Sequence, residues 1–140
     1  MKDAYNTDAS ENSITRQKIN MAITKLSQHN FKAVIESNPF VVIDFWAEWC
    51  EPCLIFSKTF ENVASKHADI MFCTLDTETD PEIASYFNIE QIPCVLAIKN
   101  QIVIDGIVGV MPNTSLETSL QEWRDFDTTE INRHFAEKAE

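Results

Sequence analysis

The feature that most constrains the fold is a run of seven residues, Phe40–Trp46, that is almost entirely apolar. It follows Pro39, which ends the preceding helical pattern, and it is rich in β-branched and aromatic side chains. A run that is apolar without alternation predicts a strand covered on both faces, as at the centre of a sheet flanked by helices. The sequence therefore predicts a buried central strand, in which Asp44 is the one charged residue.

Strands and helices are predicted to alternate along the rest of the chain. Alternating apolar residues from Ile19 predict a first strand, and a helix capped by Ser27 is predicted over about 28–36, with Phe31, Val34 and Ile35 on one face. The later predicted elements are a helix over about 50–67, a strand over 70–75, a helix from the Asp80 cap to about Phe87, strands over 95–99 and 102–108, and a helix over about 113–126 with Leu116, Leu120 and Trp123 on one face. The order βαβαβαββα predicts an α/β protein.

The length of 140 residues predicts one domain. Residues 1–18 are polar and without steady periodicity, so we expect a flexible leader before a domain over 19–126. Residues 127–140 are expected to form a short helical extension, with Asp127 as its cap and Ile131 paired with Phe135.

Charge and hydropathy restrict the classes of partner and the cellular compartment that we expect. A formal net charge of −11 disfavours nucleic acid and anionic membranes, which are bound through clustered Lys and Arg. No window approaches the roughly 18 apolar residues of a membrane span, and the first 20 residues lack the apolar core of a signal peptide. We therefore expect a cytoplasmic protein, in a reducing compartment where four cysteines indicate redox or metal chemistry.

The chemistry is predicted at Cys50-Glu51-Pro52-Cys53, directly after the buried strand and at the start of a helix. Two cysteines at this spacing can close a small disulfide, and the helix N-terminus stabilises a thiolate on the first. Cys50 is the expected nucleophile, and Cys53, one turn further in and less exposed, would resolve the mixed disulfide. Taken by itself, a Cys-x-x-Cys pair could also be half of a zinc site.

The flanking residues decide between these interpretations. The segment from Val41 to Cys53, together with Ile92-Pro93, closely resembles the thioredoxin family, and the resemblance spans about 19–126. It implies the thioredoxin fold, a central mixed β-sheet flanked by helices. It also implies a protein-disulfide oxidoreductase that needs no cofactor, acts on protein disulfides and is recharged by a thioredoxin reductase or an equivalent dithiol donor.

The resemblance also assigns roles to single positions. Asp44 matches the buried carboxylate of the family, Trp46 and Trp49 its two active-site tryptophans, Pro93 its cis-proline, and Val108-Gly109 the loop that completes the substrate groove. Burial should raise the pKa of Asp44 and make it a proton acceptor for Cys53. A cis bond at Ile92-Pro93 would expose backbone groups to an extended substrate segment. Trp49 is expected to be exposed beside the nucleophile.

Several positions depart from the family pattern. Glu51 replaces a glycine and opposes thiolate formation on Cys50, Thr74 replaces a lysine beside the buried aspartate, Lys58 replaces a helix proline and Gln91 replaces a glycine at the edge of the groove. Glu48, Glu51 and Glu90 are expected to surround the site with negative charge. A basic or neutral substrate is therefore favoured over an acidic one.

Two other classes of function stay open at this point. One is a binding or chaperone-like adaptor with a specialised partner, and the other is metal or iron-sulfur binding through Cys50, Cys53 and Cys94. Cys94 is more simply a small strand residue, and Cys73 is expected to be buried and inert. The three histidines, His29, His67 and His134, show no ligand spacing and are expected at helix surfaces.

Overall fold

The computed structural model describes residues 23–129. The elements are β1 (Ile23–Lys25), α1 (Phe31–Ser37), β2 (Phe40–Trp46), α2 (Glu51–Ala64), β3 (Met71–Asp76), α3 (Pro81–Tyr86), β4 (Cys94–Lys99), β5 (Ile102–Val108) and α4 (Asn113–Asp125). The predicted order of strands and helices is confirmed. The order of elements is that of the thioredoxin fold expected from the sequence.

The five strands form one mixed sheet in the spatial order β1-β3-β2-β4-β5. Strand β2 lies at its centre, parallel to β3 on one side and antiparallel to β4 on the other. Residues 40–45 of β2 are all buried. The apolar run thus forms a central strand covered on both faces, as predicted.

Helices cover the two faces of the sheet in pairs. On one face, side chains of α2 and α4 pack against Val42 and Phe72. On the other face, side chains of α1 and α3 pack against Ile43 and Leu75. Because β2 runs directly into the loop before α2, the N-terminus of α2 lies at the carboxyl end of the central strand. This junction positions the cysteine pair.

The predicted helix caps are partly wrong. Helix α1 begins at Phe31, three residues later than predicted, because Ser27 starts a turn instead and its Oγ accepts from the N–H of His29. Asp80 does occupy the N-cap position of α3, but its carboxylate makes no cap hydrogen bond. It accepts instead from the N–H of Gln28 at 3.2 Å and from Thr79 Oγ1 at 3.1 Å. A remote backbone donor has replaced the local one.

The end of the α2 region corrects the prediction for His67. Helix α2 ends at Ala64, and His67 lies half-buried in the following turn. Its Nε2 lies 2.7 Å from Glu117 Oε1, and its Nδ1 lies 2.9 Å from Arg124 Nη2. His67 therefore links this turn to α4 and is not an ordinary surface position. His29 is exposed, but it lies in the turn before α1 and not on a helix.

Lys99, at the end of β4, caps the C-terminal end of α4 through hydrogen bonds. Its Nζ donates to the backbone carbonyls of Trp123 at 2.8 Å, Arg124 at 2.5 Å and Phe126 at 2.8 Å. The next residue, Asn100, donates from Nδ2 to the buried Thr128 Oγ1 at 2.7 Å. These bonds satisfy carbonyls that a helix end leaves without intrahelical partners.

Several predictions fall on the termini. The leader over 1–18, the first part of the predicted first strand over 19–22, His134, and the pair of Ile131 and Phe135 all lie outside the described residues. Asp127 is described, and its Oδ1 accepts from the N–H of Thr129 at 2.9 Å, as a helix cap does. Between residues 23 and 129 no helix is both long enough and apolar enough to cross a bilayer.

Candidate active site

Cys50 occupies the N-cap position of α2. Its backbone is extended (φ −94°, ψ 101°), and its Sγ accepts from the backbone N–H of Cys53 at 3.2 Å. Pro52 lies in the first turn, where its missing N–H leaves no intrahelical bond unmade. A sulfur at this position faces the unsatisfied N–H groups of a helix N-terminus, which stabilise negative charge on it.

The two cysteines are joined by a disulfide, with 5.2 Å between their Cα atoms. Cys50 is 4% exposed and Cys53 is fully buried, so Cys53 is the less accessible sulfur, as expected. Ala47 packs against the pair, and Trp46 and Ile92 cover it in part. Cys50 thus keeps a small exposed area, whereas Cys53 has none.

Asp44 is a fully buried carboxylate in the strand that leads to the cysteine loop. Among the described residues, neither Oδ1 nor Oδ2 has a hydrogen-bond partner. Burial, and to a lesser degree the negative charge of Glu61, raises the pKa of Asp44 to about 7. Thr74 is its register neighbour on β3, where the family has a lysine, so no ammonium at this position offsets the loss of hydration.

The loop before β4 lies beside the disulfide. The Ile92-Pro93 peptide bond is cis, as predicted, and the carbonyl oxygen of Ile92 lies 4.0 Å from Cys50 Sγ. Gly109 donates its N–H to the carbonyl of Pro93 at 2.8 Å, which ties this loop to the end of β5. Gly109 has φ +108°, a conformation that favours glycine over residues with a side chain.

Exposed apolar and acidic residues flank the cysteine pair in the chain and border the strand pair β4-β5. Trp49 is 69% exposed and Val108 55% exposed. Glu48, Glu51 and Glu90 are exposed, and their placement around the site with negative charge stays a prediction. The residue that sequence reasoning missed is Glu78, whose Oε2 accepts from Trp49 Nε1 at 3.2 Å. No local pattern marks Glu78, because the contact joins loops 29 positions apart in the chain.

The other two cysteines are buried thiols. Cys73 is fully buried in β3, and burial raises its pKa to about 12. Cys94 is the first residue of β4 and is 5% exposed, and its pKa is raised by burial and, to a lesser degree, by the charge of Asp44. Across the described part of the chain, no group of three or more His, Cys, Asp or Glu side chains is arranged to hold a metal ion.

Comparison with known proteins agrees with this geometry. The family model described as Thioredoxin matches residues 22–122. A putative thioredoxin 2 of Streptomyces coelicolor is 35% identical over 114 residues, which is 81% of this chain and 85% of the relative. A thioredoxin of Alicyclobacillus acidocaldarius is 32% identical over 102 residues, covering 72% of this chain and 97% of the relative.

Solved structures show the same fold. Mitochondrial thioredoxin 3 of Saccharomyces cerevisiae, in its oxidised form, superposes with a TM-score of 0.67 at 28% identity and covers 74% of this chain and 98% of its own. Thioredoxin f from spinach chloroplast superposes with a TM-score of 0.68 at 23% identity, over 74% and 94% of the two chains, a likeness of fold. The chain belongs to the thioredoxin family of thiol-disulfide oxidoreductases.

Proposed function

We propose that the chain is a cytoplasmic protein-disulfide reductase in which Cys50 is the nucleophile and Cys53 the resolving thiol. The observation that carries this proposal is the position of Cys50 Sγ at the N-cap of α2, bonded to Cys53 and accepting its N–H. A thiolate there is stabilised by the helix N-terminus, whereas Cys53 lies behind it and is placed to attack Cys50 Sγ once that sulfur is bound to a substrate.

The exchange takes two steps. In the reduced protein the Cys50 thiolate attacks one sulfur of a substrate disulfide, and the second substrate sulfur leaves as a thiolate that takes a proton from solvent. Cys53 then loses its proton and attacks Cys50 Sγ, which releases the first substrate sulfur as a thiol. The substrate gains two electrons and two protons, and the Cys50-Cys53 disulfide forms. A thioredoxin reductase or another dithiol donor returns the electrons.

Asp44 is the proposed proton acceptor for Cys53. It lies in the strand that ends beside the cysteine loop, and its carboxylate has no hydrogen-bond partner within residues 23–129. Its pKa, raised by burial to about 7, leaves it able to take up a proton at neutral pH. An exposed carboxylate with an ordinary pKa of about 4 would be a much weaker base.

Substrate is proposed to bind across the loop before β4. The carbonyl oxygen of Ile92 lies 4.0 Å from Cys50 Sγ, Gly109 donates its N–H to Pro93, and Val108 is the register partner of Cys94. Trp49, next to Cys50 in the chain, is exposed. An extended peptide bound through main-chain groups and apolar contacts suits many different protein substrates. The exposed carboxylates nearby favour basic or neutral segments.

Trapping of intermediates tests the order of the two thiols. With insulin as the substrate, Cys50→Ser should reduce turnover to the background rate, and Cys53→Ser should accumulate a covalent adduct because release needs the second thiol. Cys73→Ala is the matched control, since Cys73 is buried away from the pair, and it should keep turnover within about threefold.

Two results would contradict the proposal. Stable adducts from Cys50→Ser and none from Cys53→Ser would reverse the roles of the thiols. A wild-type chain that binds partner proteins but reduces no insulin with a dithiol donor would indicate an adaptor in place of a reductase.

A further inference from the structure

A small pocket of about 290 Å³ opens beside the loop that precedes β4. This pocket, called the Glu90 pocket below, is lined by Asn88, Ile89, Glu90, Gln91, Cys94 and Val108. Its volume lies just below the roughly 300–1,000 Å³ of sites that enclose a whole small molecule. The Glu90 pocket therefore has the size of a subsite for a single side chain of a bound peptide.

Backbone contacts fix both walls of the Glu90 pocket. Asn88 follows α3 with φ +59°, and the N–H of Ile89 donates to the carbonyl of Ala84 at 2.8 Å, which holds the loop against the helix end. On the opposite side, Val108 of β5 is the register partner of Cys94 of β4. The pocket is thus formed before a partner binds, so a partner does not have to order it.

The Glu90 pocket lies close to the residues that approach the proposed nucleophile. The carbonyl oxygen of Ile92 lies 4.0 Å from Cys50 Sγ, and Cys94, which lines the pocket, follows two residues later. Two residues of extended backbone span about 7 Å. A substrate segment that crosses this loop with its sulfur at Cys50 therefore brings to the pocket a side chain within about three residues of its own cysteine.

The lining of the Glu90 pocket combines apolar surface with hydrogen-bond acceptors. Ile89 and Val108 are apolar, Glu90 carries a carboxylate, and Asn88 and Gln91 carry amide oxygens. None of the described residues that line the pocket is cationic. Lysine and arginine have an apolar stem and a charged donor at its end, so both parts of either side chain are matched. A glutamate side chain would instead bring a second negative charge to Glu90.

We propose that the Glu90 pocket is a specificity subsite for a lysine or arginine side chain close to the reacting cysteine of a protein substrate. Glu90 is the charge partner of that side chain. The inference rests on the proposed reductase function and assigns the preference for basic substrates to one carboxylate. Glu48 and Glu51 are also exposed, but neither lines the pocket.

The test compares symmetric peptide disulfides that carry arginine, glutamine or glutamate at the second and third positions on each side of the cysteine. At low salt the wild type should reduce the arginine peptide with a kcat/KM about three- to fivefold above that of the glutamine peptide, as an exposed charge pair predicts. Glu90→Gln should lower this ratio to below about 1.5. Glu90→Lys should make the glutamate peptide the better substrate.

The matched control is Glu48→Gln, which removes the same charge two positions before Cys50 but outside the pocket. It should keep the ratio of arginine to glutamine peptide above about 2.5. Equal losses of this ratio in Glu48→Gln and Glu90→Gln would indicate a general negative field and would overturn the subsite. Reduction of a small aromatic disulfide should be unchanged in every variant, which verifies that each one is folded and active.

Trapped intermediates give a second readout that locates the basic side chain. Cys53→Ser should form a mixed disulfide with the arginine peptide, and nuclear Overhauser effects are expected between the arginine side chain and the methyl groups of Ile89 or Val108. Arginine contacts confined to other residues would contradict the proposal.

Failure of the subsite and failure of the proposed function give different results. Equal kcat/KM values for the three peptides would overturn the subsite and leave the reductase in place. A wild-type chain that reduces none of the peptides and no small disulfide would overturn both.

Discussion

The two ends of strand β4 differ in how their polar groups are hydrogen-bonded and in how far their apolar neighbours are buried. At the Cys94 end, the neighbouring carboxylate of Asp44 is buried without a partner among the described residues, and Trp49 and Val108 are left exposed. At the Lys99 end, one ammonium group donates hydrogen bonds to three backbone carbonyls, and Asn100 donates to the buried Thr128. One end of β4 therefore carries polar groups that are hydrogen-bonded, and the other end lies beside a buried carboxylate that is not.

This difference indicates that stabilising and destabilising contributions lie at opposite ends of the sheet. A buried carboxylate without a partner costs free energy of folding, and exposed apolar side chains leave stabilising burial unmade. Both features suit the proposed exchange with another protein, in which Asp44 would act as a base and the exposed apolar side chains would contact the substrate. The opposite end of the sheet carries the compensating hydrogen bonds. Each end can be altered separately, and the effects should differ in kind.

The largest effect is expected from Asp44→Asn, measured as the free energy of unfolding in denaturant against pH. The pKa of Asp44 is raised to about 7 in the folded chain, so the folded state binds a proton more tightly than the unfolded state. Below about pH 3.8 the carboxyl is protonated in both states, and its ionisation costs the folded state nothing. As the pH rises from there to about 7, the unfolded state ionises more easily than the folded state, so the free energy of unfolding falls. Relative to the wild type, the variant should gain on the order of 3 kcal/mol between pH 5 and pH 8.

The control for this measurement is Glu82→Gln, which removes an exposed carboxylate and should leave the pH dependence unchanged. A stability difference between Asp44→Asn and the wild type that does not vary with pH would contradict a raised pKa. In the insulin assay the same variant should lose about 100-fold or more in rate near pH 7, as loss of a general base predicts.

Lys99→Met tests the other end of the strand. Removal of the ammonium leaves the carbonyls of Trp123, Arg124 and Phe126 without this donor, and the expected loss of stability is about 2–3 kcal/mol. Thermal unfolding measures it, and Lys66→Met is the control at an exposed lysine. Reductase activity should stay within about twofold. A large loss of activity with little loss of stability would break the proposed division between the two ends.

Val108→Asp tests whether the exposed apolar surface beside the disulfide binds substrate. We expect kcat/KM for insulin to fall about tenfold while the rate with a small aromatic disulfide is unchanged, because only the protein substrate reaches across the groove. Val103→Asp is a matched control for activity, since it lies on the same strand with similar exposure. Equal losses with both substrates would place Val108 in the chemistry itself.

The smallest effect is expected from Glu51→Gly. Glu51 is exposed in the first turn of α2, and its negative charge opposes a thiolate on Cys50. Without it the reduced form is favoured, so the protein should become more oxidising by about 5–15 mV at low salt. Equilibration with glutathione buffers measures the potential, and Glu82→Gln again serves as the control. An unchanged potential would indicate that Glu51 acts in partner docking.

Local patterns were enough to predict the core of the fold. The continuous apolar run predicted β2, and helical spacing predicted the buried face of α4, because burial of a whole element dominates other preferences. The starts of α2, α3 and α4 were also predicted, but the start of α1 and the hydrogen bonds of the cap residues were not. Asp80 has the right chemistry for a cap, yet its carboxylate bonds the backbone of Gln28, 52 positions away, and nothing in the local sequence indicates that contact.

The candidate site divides in the same way. Cys50 and Cys53 are close in sequence, so their spacing indicated a possible disulfide. Burial of Asp44 followed from its strand. The contact of Glu78 with Trp49 depends on how two loops meet, and the resemblance to the family did not include that position. The link from His67 to Glu117 and Arg124 was missed for the same reason.

Cys73 gives the chain a built-in reporter of motion. Its thiol is fully enclosed in β3, next to the central strand, and a pKa of about 12 leaves almost no reactive thiolate at neutral pH. In the oxidised protein Cys50 and Cys53 are bonded to each other, so an alkylating reagent finds only two thiols, and both are buried. The rate of alkylation of Cys73 therefore measures how frequently the centre of the sheet opens by local unfolding.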